Sequence, residues 1–287
     1  MKKIYRHVSI FFMMLCCINV AIAQDSKKMR IIALDPASIE ILYLLGAEDN
    51  IVAIANLQHS NIEPVEKTSK LASVGSFSNP SIEKIVLLKP DLVILSSYSL
   101  GLKEKLEALG IKSLYVEAKR IEDIKTNITT LATLVHKESQ GKQLNAQMEQ
   151  DFIALQESPL QGKAIFLYAT NPLMAFTDNS SIADVLRLIG LENATPQSDI
   201  KRPIISAEHI VKANPDYLIL GMEAKYDDIL KLYPTFKKTK AYQNGHILAY
   251  DKVHSLLRLS PTIVRKIKDF KTQLEQSITK KVEHEIY

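Results

Sequence analysis

The feature that most constrains this chain is a motif it carries twice. Ser81-Ile82-Glu83-Lys84-Ile85-Val86, followed by Pro90-Asp91-Leu92-Val93-Ile94-Leu95, returns as Ser206-Ala207-Glu208-His209-Ile210-Val211, followed by Pro215-Asp216-Tyr217-Leu218-Ile219-Leu220. The offset is a constant 125 residues, and eight of fifteen aligned positions are identical. A second, gapped echo relates Ser38-Ile39 through Leu45-Gly46 to Ser181-Ile182 through Ile189-Gly190. Echoes at this scale imply two lobes of related topology, not a solenoid of small units. In each copy a serine caps a short helix, and a glutamate sits in its first turn, where the helix dipole favours negative charge. The Pro-Asp pair then stops the helix and turns the chain into a buried strand. Taken alone, Glu83 and Glu208 fit a plain helix-start role.

Short apolar runs alternate with amphipathic stretches on both sides of a helical middle. Strands are predicted at Arg30 to Leu34, Ile51 to Ala55, Leu92 to Leu95 and Ser113 to Val116. Helices are predicted at Ser38 to Leu45, closing at Gly46, at Ser81 to Leu88, and at Lys103 to Leu109, ending at Gly110. From Ile121 to about Glu157 helical periodicity runs without a strand signal, with Leu144, Met148, Phe152 and Leu155 on one face. A second series follows: Ala164 to Tyr168, Ile182 to Ile189, Ala207 to Ala213, Tyr217 to Leu220, Ile247 to Tyr250, and a last helix from about Pro261. The pattern predicts an α/β fold of two lobes with mainly parallel sheets, joined by one long helix. The expected division is an N-terminal lobe over 24–120, a helical linker over 121–160 and a C-terminal lobe over 161–287.

The first 23 residues read as a secretory signal peptide. Lys2, Lys3 and Arg6 precede an apolar stretch from Val8 to Val20, and Ala21-Ile22-Ala23 offers a small-x-small cleavage pattern before Gln24. Cleavage is expected after Ala23. Lipidation at Cys16 or Cys17 is the competing reading, but Met13 and Met14 are poor neighbours for it. Both cysteines lie in the leader, so the mature chain has no disulfide or thiolate site and suits an oxidising periplasm. Without the leader, 33 Lys+Arg stand against 32 Asp+Glu, which gives a nucleic-acid partner no electrostatic support.

The mature chain resembles the periplasmic binding proteins of iron-siderophore, haem and cobalamin ABC importers. The resemblance is carried by Ile31-Ile32-Ala33-Leu34-Asp35-Pro36-Ala37-Ser38-Ile39-Glu40-Ile41-Leu42 with Leu45-Gly46-Ala47, by the V-G-S-F-S-N-P-S-I-E-K-I block from Val74 to Ile85, and by Lys89-Pro90-Asp91-Leu92-Val93-Ile94. In the second half it is carried by Ser181-Ile182-Ala183-Asp184-Val185-Leu186, Leu188-Ile189-Gly190 and the Ser206 to Leu220 repeat. The resemblance implies two Rossmann-like lobes, a ligand cleft between them and a single bridging helix matching about Gly141 to Glu157. It also implies docking of each lobe on a permease dimer through Glu83 and Glu208, where paired charges set orientation and encounter rate. A monomer without cofactor or resident metal ion is expected.

The ligand implied is a metal chelate, held by loops at the carboxyl ends of the strands. Tyr98 and Arg202 lead the candidate contacts, followed by His59, Tyr168 and Arg258. Aromatic rings could stack on a macrocycle, and arginines could neutralise an anionic chelate. Several haem-binding members of the family carry a tyrosine directly after the Val-Gly pair, where this chain has Ser76. The chain has no tryptophan, which many cobalamin binders use. A ferric siderophore is therefore the leading expectation, with haem, cobalamin or a nickel chelate as alternatives.

Two rivals from other classes are weaker. An α/β enzyme would usually show a G-x-G fingerprint, a G-x-S-x-G elbow or H-E-x-x-H, and none occurs. A free-zinc or manganese binder needs several converging His, Asp or Glu ligands, whereas the mature histidines, His59, His136, His209, His246, His254 and His284, are scattered.

Overall fold

In the computed structural model, residues 28–285 except 59 and 225 are described. The leader, its cleavage site and His59 lie outside the described residues. Fully apolar strand runs predict a sheet covered on both faces, and the first sheet has that character. Its strands are β1 (Ile31–Ala33), β2 (Ile51–Asn56), β3 (Ser73–Ser76), β4 (Asn79–Pro80), β5 (Leu92–Leu95) and β6 (Lys112–Tyr115), ordered β4-β3-β2-β1-β5-β6. All neighbours are parallel except β3 and β4. The order reverses direction between β1 and β5, which leaves a crevice at their carboxyl ends, the usual ligand position in such sheets.

The second sheet comprises β7 (Lys163–Thr170), β8 (Leu173–Ala175), β10 (Tyr217–Glu223) and β11 (Ile247–Tyr250) in the order β11-β10-β7-β8. The short β9 (Glu192–Asn193) pairs with the start of β7. The strand period of two splits each sheet between two cores. Ile32, Val93 and Leu95 pack on one side of the first sheet, and Ile165, Leu167 and Leu218 on one side of the second. Their alternates, Ile31, Ile94, Phe166 and Ile219, join one continuous core with Met148 and Leu155 of the middle helices and Phe270 and Leu274 of the last helix.

Helix α1 (Pro36–Leu44) begins two residues earlier than the apolar pattern suggests. Asp35 is its N-cap, accepting from the Ser38 backbone N–H at 2.8 Å, and Pro36 occupies the first turn, where its missing N–H costs nothing. Gly46 at φ +66° lets the chain turn out of this helix. Helix α2 (Ile82–Leu87) is capped by Ser81 through the Lys84 N–H.

The helical middle is two helices, α3 (Asp123–Leu134) and α4 (Glu138–Gln156), not one run. His136, at φ +56°, breaks the pattern between them. The 19 residues of α4 lead from the first sheet's half of the chain to the second, a span of about 28 Å at 1.5 Å per residue. Gly141 lets α4 lie close against α3, since a Cβ there would stand 2.5 Å from that of Ala132. In the second half, α5 (Ser181–Leu188) and α6 (Ala207–Ala213) repeat the serine caps with Ser180 and Ser206.

The final helix, α7 (Ile263–Glu285), closes the carboxyl end of α4. The Lys271 ammonium, from a side chain only 10% exposed, donates to the carbonyls of Leu155 and Ser158. A cation there meets both the orphan carbonyls and the negative pole of the helix. Lys271→Met is expected to cost about 1–3 kcal/mol, read as a lower midpoint in thermal or urea unfolding. An unchanged midpoint would show that water replaces the ammonium without loss.

Candidate functional site

The crevice at the strand ends opens into a cavity of about 470 Å3. Its floor is the start of α1, at Asp35, Pro36, Ala37 and Ser38. Its walls come from the ends of the other strands of the first sheet: Leu57 after β2, Phe77 after β3, Ser97 and Tyr98 after β5, and Tyr115 to Lys119 at β6. The second half of the chain contributes Lys201 and the segment around His254 and Leu257 to Leu259.

Local chemistry explains why aromatic rings are presented here. Ser96 and Ser99 are buried, and Ser99 Oγ accepts from the Ser96 N–H at 2.8 Å, which pins a tight turn after β5. The turn leaves Tyr98 outside, 69% exposed, with its ring centroid 5.0 Å from that of Phe77 and tilted by 51°. Phe77 is held by its own N–H, which donates to the Asn56 carbonyl at 2.8 Å. Gly75, at φ +122°, allows the β3–β4 turn beneath it to close, since a Cβ would meet the Asn79 carbonyl oxygen at 2.9 Å.

The ionisable groups of the lining are largely matched. Glu117 pairs with Lys119 at 2.9 Å, and that pairing raises Lys119 above its ordinary range. Burial pushes the Asp35 carboxyl up, although hydrogen bonds from Ser38 pull the other way. Burial also raises the Tyr115 phenol, with Glu117 adding to the effect. Arg258 reaches the lining, but its guanidinium is committed: it donates to Glu40 Oε1 at 2.7 Å, to the Asn61 carbonyl at 2.6 Å and to Ser60 Oγ at 2.8 Å. Glu40 is 1% exposed and also accepts from the Ser260 and Thr262 hydroxyls, with the Lys266 ammonium at 3.7 Å. Burial alone would raise the Glu40 carboxyl, but Arg258 and Lys266 outweigh it and hold the group below its ordinary range. Lys266 is itself lowered, by burial first, with Glu40 opposing.

Of the residues singled out from sequence, Tyr98 and Arg258 line the cavity, Tyr98 with an exposed ring beside Phe77 and Arg258 as a buried tie between the halves of the chain. Arg202 and Tyr168 lie outside the lining and pair with each other, the guanidinium carbon 4.4 Å from the ring centroid. Their neighbour Lys201 is the lining residue. The loop bearing it is pinned where Thr177 donates from its N–H and hydroxyl to the carbonyls of Lys201 and Ile200, each at 3.0 Å. Asp35, Tyr115 and Lys119 were not anticipated, although each sits at or just beyond the carboxyl end of a strand.

Glu83 and Glu208 are both exposed, each in the first turn of its serine-capped helix. The Ser81 hydroxyl donates to Glu83 Oε2 at 2.7 Å and holds that carboxyl below its ordinary range. Glu208 is lowered in the same direction by its own backbone N–H and by Ser206.

Residues 31–253 match the family model described as periplasmic binding protein. The vitamin B12-binding protein of Pectobacterium atrosepticum is 27% identical over 219 residues, 73% of this chain and 75% of that protein. Among solved structures, the apo periplasmic haem-binding protein RhuT from Roseiflexus sp. RS-1 superposes with a TM-score of 0.72 at 21% identity, covering 88% of this chain and 99% of that one. A possible iron-binding periplasmic solute-binding protein from Staphylococcus epidermidis gives 0.75 at 25% identity, covering 86% and 98%. The two sheets joined through α4, the crevice at the strand ends and the match over residues 31–253 agree: the chain belongs to the periplasmic binding protein family, the substrate-binding proteins of ABC importers for haem, cobalamin and related chelates.

Proposed function

We propose that the mature protein, exported behind residues 1–23, captures a cobalamin-type corrinoid in the periplasm and delivers it to an inner-membrane ABC permease. The observation that carries this choice of ligand is the charge balance of the cavity. Among the described lining residues, Glu117 is matched by Lys119 and Arg258 by Glu40, which leaves Asp35 and Lys201, one group of each sign, beside the imidazole of His254. Such walls suit a bulky neutral chelate. They offer little to the polyanionic ferric siderophore favoured from sequence, which calls for an excess of cations. Tyr98 and Phe77 supply ring surface for the edge of a macrocycle. A corrinoid exceeds 470 Å3, so part of it would enter and the rest would lie across the mouth. The likeness to a vitamin B12-binding protein points the same way.

Calorimetric titration of the mature protein with cyanocobalamin, haemin and a ferric tris-catecholate tests the reading. Saturable 1:1 binding of cyanocobalamin, tighter than that of the other two, is expected. Tight binding of the ferric chelate with no response to cyanocobalamin would replace this reading with the siderophore one. Tyr98→Ala should weaken ligand binding about three- to tenfold, as the loss of one aromatic contact implies. Its melting temperature should hold, because the ring is mostly exposed.

The same proposal assigns Glu83 and Glu208 to permease docking. What supports it is their equivalence: the same place in each copy of the repeat, the same serine cap, full exposure, and carboxyls lowered so that both are charged at neutral pH.

A further inference from the structure

The floor of the cavity holds a carboxylate whose place in the fold is only half explained by capping α1. Asp35 follows β1 directly and stands at the switch point of the first sheet. Both the backbone N–H and the hydroxyl of Ser38 donate to its Oδ2, at 2.8 and 2.6 Å. Its Oδ1 has no side-chain partner among the described residues. The side chain is enclosed by protein, yet the residue keeps partial exposure and lines the cavity. Arg258, the cation that acts on it electrostatically, is engaged by Glu40, Asn61 and Ser60. A serine would cap α1 equally well without placing a second side-chain oxygen in the cavity, so capping does not account for an aspartate here.

We infer that Asp35 is a specificity determinant: Oδ1 accepts an N–H donor from the ligand's periphery and disfavours ligands that present carboxylates or phenolates to the floor. This rests on the corrinoid reading of the cavity and adds a selection rule to it. A corrin ring is rimmed with carboxamides, which donate. Haem presents two propionates, and a tris-catecholate presents anionic oxygens. An acceptor oxygen in the enclosed floor therefore favours the first and opposes the other two, because acceptor set against acceptor leaves both without a donor.

The test compares the unaltered protein with D35S and D35N by calorimetry, using cyanocobalamin and haemin at pH 7. Asn and Ser both cap helices about as well as Asp, so folding is preserved and a melting curve checks it. D35S, which keeps the cap and withdraws the cavity oxygen, should weaken cyanocobalamin about tenfold, the usual loss when a buried donor is left unmatched. D35N must keep its carbonyl oxygen on the Ser38 donors to cap α1, which leaves its amide NH2, a donor, where Oδ1 stood. It should weaken cyanocobalamin at least as much as D35S and gain at least about threefold for haemin, whose propionates accept from the amide. Cyanocobalamin affinities within twofold across all three proteins would overturn the role of Asp35 and leave the corrinoid reading standing. Haemin binding by the unaltered protein with no cyanocobalamin binding would overturn the corrinoid reading, and the assignment of Asp35 with it.

Discussion

Reversing together the two charges proposed for docking, Glu83→Lys with Glu208→Lys, is expected to abolish ligand uptake through the permease while leaving ligand affinity within about twofold, since neither side chain lines the cavity. The two carboxylates are exposed, lie on equivalent helices and are held in the ionised form by adjacent hydroxyl and amide donors. Two fixed negative points on one protein define an orientation that a single point cannot. A single reversal should therefore slow productive encounter, and the double reversal should remove it. The measurement is ATP hydrolysis or uptake by the permease in lipid vesicles, with the liganded protein added outside. The unaltered protein should lose stimulation steeply as salt is raised, and the double variant should show little salt dependence, because screening acts on the attraction that the variant lacks. Full uptake by the double variant would remove both glutamates from the docking surface.

The second large effect is expected inside the protein. Arg258→Met should cost about 3–5 kcal/mol, the usual loss when one partner of a buried ion pair is removed and the other stays. Arg258 and Glu40 have side chains only 8% and 0% exposed, so water is poorly placed to replace the guanidinium. At about 2 °C per kcal/mol for a chain of this size, the melting temperature should fall by roughly 6–10 °C. The dependence on pH has a definite sign. In the unaltered protein the Glu40 carboxyl is lowered, so its contribution is present above the ordinary carboxylate range and is lost only as pH falls through the depressed value. Without Arg258 the burial that opposes ionisation loses its main counterweight, and the carboxylate, left with Lys266 and two hydroxyls, is most harmful at neutral pH. The gap between variant and unaltered protein should narrow as pH is lowered through the acid range. A gap that stays constant or widens would mean that the loss comes from packing and not from the charge. Exchanging Glu40, Arg258 and Lys266 together for apolar residues of similar volume should recover much of the stability.

Much of the fold could be read from residue patterns, because the strands are nearly continuous apolar runs bounded by Pro, Asp and Gly. Leu92–Leu95, Ala207–Ala213 and Ile247–Tyr250 fall where the pattern puts them. What escaped was structure that is not periodic. β3 and β4 are built from Ser73-Val74-Gly75-Ser76 and Asn79-Pro80, too polar and too short to carry a strand signal, and they exist because β2 offers an edge. The division at His136 rests on one left-handed residue within an otherwise helical pattern. At the site, Tyr98 was legible because it follows a clear strand. Asp35 was readable only as part of a motif, since a helix cap and a cavity carboxylate have the same local sequence. The engagement of Arg258 was not legible, because its partner Glu40 is 218 residues away and no local pattern joins them.

That separation bears on how the molecule comes into being. The duplicated pattern suggests two modules, each able to stand alone, yet the first sheet's own helix carries a carboxylate whose cations arrive from positions 258 and 266. Synthesised first, the amino-terminal half holds a charge with no counterpart until nearly the whole polypeptide is present. Sealing of the first half therefore waits on the last stretch to be delivered, and the kinship of the halves does not make them separable.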